Sequence, residues 1–272
     1  MKYAICNEPF EDKSLEEVCR IVSDLGYEGL ELAPYTFAED VRELDSAARK
    51  QIRNTVEHAG LEVVGLHWLL ISPKGFHLTT EDSGVREKTL DFLKSLMEFC
   101  RDVGGKVLIH GSPAQRSITD DQDWAEVEAR TLSAFKRLGE HAEKCGVIHC
   151  IEPLDIGQTN FIRTPVQALE WVDRTDRPGF QTMIDARACF EEGLEPGEEF
   201  RNCRRGVSHV HVNETNMLGP GMGTHDFEPL IRSLHDCAYN GFVTVEPFDY
   251  SPGAEHIAQE SLSYLQSLEQ NF

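Results

Sequence analysis

Apolar residues along this chain gather into eight short runs separated by amphipathic stretches. The runs are YAIC (3–6), GLELA (29–33), EVVGLH (62–67), KVLIH (106–110), VIHCIE (147–152), QTMID (181–185), SHVHV (208–212) and FVTVE (242–246). Most are nearly continuous in hydrophobicity, the pattern of parallel strands buried on both faces. Between them apolar positions recur at helical spacing. The first such stretch, from Ser14, sets Leu15, Val18, Ile21, Val22 and Leu25 on one face. Ser14 with Glu17 predicts a capping box, and Gly26 a C-terminal stop. Further helices are predicted over 45–59, 85–103, 123–144, 165–174, 197–205, 226–239 and 254–268. The fourth of these begins after Thr164-Pro165, a cap followed by proline at the first helical position.

Eight strand–helix units without a composition break predict a closed (β/α)8 TIM barrel, an α/β fold in a single domain over residues 1–272. An open doubly wound sheet is the second choice. It normally carries a glycine-rich phosphate loop after its first strand, where ICNEPFEDK stands instead.

Barrels of this kind gather their chemistry where strands end and loops lead into helices. The fifth run stops on Glu152, followed by Pro153, which cannot extend a sheet ladder. An acid at the end of a buried strand is costly unless a cation or donor meets it. Later runs end in the same way, on Asp185, His211 and Glu246. Any one of these alone reads as an ordinary acid or imidazole in a turn. Four on successive strand ends form a candidate metal set of oxygen and nitrogen donors, suited to one divalent ion: Mn, Mg, Co or Zn.

Other strand ends supply Asn7, Glu8, Glu31, His67, Trp68, His110, Asn213 and Glu214. His67 and His110 are candidate substrate partners or further ligands, and Trp68 is a candidate sugar-stacking face or a core aromatic. Glu8 and Glu31 are hydroxyl-binding candidates or solvated loop residues. His209 is read as pointing away from His211, toward the helices, with a structural role; His149 receives the same reading. The segment GPGMGTHDF (219–227) lacks the ending of a nucleotide loop and is read as a flexible active-site loop.

The net charge of −21 weighs against a nucleic-acid partner and is compatible with a small neutral substrate and a divalent cation. No apolar run is long enough for a membrane span. Eight scattered cysteines without a Cys-x-x-Cys pair, and a start that reaches Glu8 too soon for a signal peptide, indicate reduced thiols and a cytoplasmic location.

The pattern IEPL, MID, HVHVNE, GPGMG and VEPFDY, with ICNE, GLHWLL and LIHGSPAQR before it, resembles the xylose-isomerase-like TIM-barrel superfamily. Within it the chain is most similar to sugar isomerases and epimerases of the tagatose 3-epimerase and hydroxypyruvate isomerase type. The resemblance covers essentially the whole chain. It implies a divalent metal on Glu152, Asp185, His211 and Glu246, with Glu152 and Glu246 as acid and base. It implies a small sugar substrate, with His67, Trp68, His110, Gln158 and Glu214 as candidate binding residues, and is compatible with a homo-oligomer. Three positions depart from the epimerase pattern: Gln158 replaces a glutamate, Ala188 a histidine and Met217 an arginine. Same-fold alternatives are a dehydratase acting on inososes, an abasic-site endonuclease and a sugar-binding barrel without turnover.

Overall fold

A computed structural model describes residues 1–272. Eight parallel strands follow one another around a closed barrel, β1 (Lys2–Cys6), β2 (Gly29–Leu32), β3 (Glu62–Leu66), β4 (Val107–His110), β5 (Ile148–Ile151), β6 (Phe180–Asp185), β7 (Val207–Val212) and β8 (Phe242–Val245). Strand β8 closes on β1 through the pairs Lys2–Phe242 to Ile5–Val245. The open doubly wound alternative is thereby excluded.

The outer layer is built from α1 (Leu15–Leu25), α2 (Ser46–His58), α3 (Ser83–Val103), α4 (Trp124–Cys145), α5 (Pro165–Thr175), α6 (Ala186–Glu191), α7 (Pro196–Cys203), α8 (Glu228–Asp236) and α9 (Ala254–Glu269). The capping box at Ser14 is present: its hydroxyl accepts from Glu17 N at 3.3 Å, and Glu17 returns a carboxylate to Ser14 N at 2.9 Å. Gly26 ends α1 with φ 100°, a left-handed turn that glycine adopts without strain. No helix is long and apolar enough to cross a membrane.

Helix α6 is absent from the sequence-based assignment. Six residues are too few to show a helical period, and the helix begins directly at the end of β6, where the Asp185 carboxylate accepts from Ala188 N at 2.6 Å.

The core has two compartments. A large one lies between strands and helices and includes Leu108, Ile151, Ile184 and Val210. A small one lies inside the barrel and is made of Ala4, Val64, Val107, Ile109, Cys150 and Met183. Above that small plug the interior turns polar, with Glu31, Glu152, Asp185, His209, His211 and Glu246 all buried.

Strand β3 is irregular where it meets β2. Leu30 pairs with Val63 but Leu32 pairs with Leu66, so β3 spends one extra residue. Such a bulge re-aims the side chains beyond it, and His67 arrives on the interior side. Gly65 lies within the bulge, where a Cβ would overlap the main-chain carbonyl of Val107 on β4.

Candidate active site

The ends of β5 to β8 bring Glu152, Asp185, His211 and Glu246 together. One donor atom from each lies within 4.8 Å of all the others, and all four residues are buried. Asp185 and His211 are direct partners in the β6–β7 ladder. His211 Nδ1 faces Glu246 Oε2 at 2.9 Å and Glu152 Oε1 at 3.6 Å.

Three carboxylates in one dry site repel each other. Burial, together with the charge of Glu152, raises Asp185 to about 6. Burial, with Glu152 adding to it and His211 opposing, raises Glu246 to about 7. For His211 burial works against the charged form, but Glu246 and Glu31 outweigh it and hold the imidazole well above its usual value. The site therefore calls for positive charge, and its donor set of three carboxylates and one imidazole fits a divalent cation.

Behind these four runs a buried chain of acids and imidazoles. Glu31, with no exposure, lies 3.1 Å from His211 Nε2, 2.8 Å from His209 Nε2 and 3.7 Å from His67 Nδ1. His67 Nε2 in turn meets Glu8 Oε2 at 2.8 Å. Burial opposes charging of His67, but Glu8 and Glu31 prevail and lift it to about 9. Glu8 and Glu31 are thus interior residues, not solvated loop acids.

This geometry corrects the assignment of His209. It points into the barrel, beside Glu31, and not toward the helices. Residues two apart on a strand share a face, so His209 follows His211 inward. His149 does face the helices, where its ring stacks on Phe180.

A cleft of about 50 Å³ lies over Glu152, Asp185 and Glu246, bordered also by His67, Trp68, Ser112, Gln158, Arg187 and Phe248. Trp68 rests edge-on against Phe248, with ring centroids 6.0 Å apart. Trp68 and Ser112 both have left-handed backbones, with φ 53° and 44°. Such strain in non-glycine residues concentrates at functional sites.

Two residues expected here are placed elsewhere. His110 shares the strand face of Leu108, not that of Val107 and Ile109, and its Nδ1 meets His149 Nε2 at 2.9 Å. Both faces of β4 are buried, so apolarity carries no sign of which way His110 turns. Glu214 turns away from the cleft into the 219–227 loop, where its carboxylate accepts from His225 N at 3.4 Å. That loop is packed, with His225 stacked on Phe190 at 4.0 Å. It does not border the cleft.

Asn213, named from the sequence only as a strand-end residue, and Arg187, passed over there, both belong to the site. Asn213 donates to Asp185 Oδ2 at 3.0 Å and accepts from Arg187 N at 3.0 Å. Arg187 is a buried cation bordering the cleft, whose Nη1 donates to Asp155 at 3.3 Å. Its one available signal was a basic residue two positions beyond a strand-end acid.

The family model described as "Xylose isomerase-like TIM barrel" matches residues 19–268. The chain belongs to this family. Among its relatives, a probable ketose 3-epimerase of Synechocystis sp. is 24% identical over 256 residues, spanning 88% of this chain and 86% of the relative. A D-psicose 3-epimerase of Ruminiclostridium cellulolyticum is 27% identical over 238 residues, spanning 84% and 76%. The solved 3-keto-D-glucoside 4-epimerase of E. coli superposes with a TM-score of 0.85 at 19% identity, covering 98% of this chain and 99% of that one. The xylose isomerase-like barrel expected from the strand-end motifs is therefore the fold of this chain.

Proposed function

We propose that this protein is a divalent-metal-dependent epimerase or isomerase of a ketose or related sugar, moving a proton through an enediolate. Its relatives are enzymes named for epimerising sugars. The observation that carries the reading is the buried convergence of Glu152, Asp185, His211 and Glu246 beneath an open cleft.

These four residues would hold one divalent ion, His211 through Nδ1, because its other nitrogen is occupied by Glu31. When bound, the ion supplies electrophilic stabilisation of negative charge developing on the sugar oxygens. The protein's own part is proton transfer. Glu152 on the β5 side and Glu246 on the β8 side both border the cleft. One carboxylate takes the proton from the carbon beside the carbonyl, and the other returns a proton. Return to the opposite face of the same carbon gives an epimer; return to the neighbouring carbon exchanges ketose and aldose.

Two measurements test this. Metal analysis of the purified protein should find one divalent ion per chain. Deuterium wash-in from D2O, followed by NMR over a ketose panel, should fall by about 10²-fold or more in Glu152→Gln and Glu246→Gln. Failure to bind metal, or exchange undiminished in both variants, overturns the proposal.

A further inference from the structure

Arg187 is the cleft residue for which the proton-transfer chemistry has no use. It is 7% exposed and sits at the start of α6, with its main-chain N–H held by Asn213 Oδ1 at 3.0 Å. Its Nη1 donates to Asp155 Oδ2 at 3.3 Å. Its guanidinium carbon lies 5.9 Å from the ring centre of Phe248, which also meets Trp68. The side chain is therefore fixed from two sides.

Asp155 does not exhaust this arginine. The bond uses Nη1, and Nε is buried with no partner. Buried donors are rarely left unpaired without a functional reason. The edge without a partner in the protein, Nε with Nη2, is the two-pronged side of the guanidinium that pairs with a carboxylate through two parallel N–H donors. Asp155 itself is engaged within the protein, because it also accepts from Gln158 Nε2 at 2.8 Å and Gly157 N at 2.8 Å. A neutral hydroxyl would engage one prong and leave the other unpaired. A phosphate would call for a denser set of donors than this cleft holds, since Arg187 and His67 are the only basic residues bordering it.

We propose that Arg187 receives a carboxylate of the substrate, so that the sugar handled here is a keto sugar acid. This deepens the epimerase or isomerase reading above and rests on it.

The test uses the metal-loaded protein and matched ligands differing only at C6: D-fructose against D-fructuronate, and D-tagatose against D-tagaturonate. Calorimetry should show at least one acid bound about tenfold or more tightly than its neutral counterpart. In Arg187→Gln that preference should shrink to within about twofold. Arg187→Lys keeps a cation beside Asp155 but lacks the two-pronged edge; it should fold and retain only part of the preference. It decides the matter should Arg187→Gln fail to fold. The proposal is overturned when no acid is preferred by the unmodified protein, binding of neither sugar included, or when the preference survives in both variants. Deuterium exchange on the neutral ketoses without any preference for the acids would sink the carboxylate and leave the proton-transfer reading standing. Absence of both metal binding and exchange would sink that reading too.

Discussion

His211 Nε2 lies 3.1 Å from Oε1 of Glu31, a carboxylate with no exposure, on the side of the ring away from Glu246. A proton on Nε2 satisfies Glu31 and leaves the Nδ1 lone pair facing the cluster of acids. Glu31 thereby sets which nitrogen of His211 is free to bind a cation, although it borders no cleft itself.

Replacing Glu31 by glutamine keeps the shape and removes the charge. Affinity for Mn2+ is expected to fall roughly 10- to 100-fold, with the four donors intact. Titration followed by electron paramagnetic resonance reads this directly. Unchanged affinity would mean that His211 needs no orienting partner.

Gly111, just after β4, tests how tightly Glu152 must be placed. A Cβ at this position would press on the Glu152 carboxylate, the end of a side chain that can swing aside. Gly111→Ala should therefore cost no more than about 1 kcal/mol of stability. It should lower substrate deuterium exchange by ~10²-fold, because displacement of a reacting group by about 1 Å is that costly. Equal losses of melting temperature and exchange would point to general damage.

The His110–His149 pair predicts the acid limit of stability. Burial holds His149 down at about 3, and burial with His149 and Arg116 nearby holds His110 well below its ordinary value. Both are neutral when folded and take up protons when unfolded. A histidine depressed in this way stabilises the fold fully above its unfolded pKa near 6.5, and that stability drains away as pH falls toward the folded value. For His149 the loss amounts to roughly 3 kcal/mol by pH 4. Denaturant titrations between pH 7 and 4 should show a shallower decline for His149→Gln than for the parent. Parallel curves would refute the assignment.

The strand ends were readable because nearly every apolar run brings a polar, ligand-type residue to its end, and a (β/α)8 alternation sends all such ends to one rim. Side-chain direction was less readable. On β4 both faces are buried, so His110 could be assigned to the cleft only by its position, and it belongs to the helix side. His67 reaches the interior through a bulge that depends on Gly65 and on the neighbouring strand, neither of which announces itself in β3 alone. His209 needed no structure: the two-residue period already places it beside His211.

By itself the sequence determined the barrel and which four strand-end residues converge in it. Both follow from local patterns, namely apolar runs of strand length, helical periods between them and a polar stop at nearly every strand end. Tertiary structure alone decided that Glu31 braces His211, that Glu214 leaves the cleft and that Arg187 enters it with Asp155 as its anchor. Each of these depends on contacts between residues about 10 to 180 positions apart, whose burial and charge balance exist only once the barrel has closed.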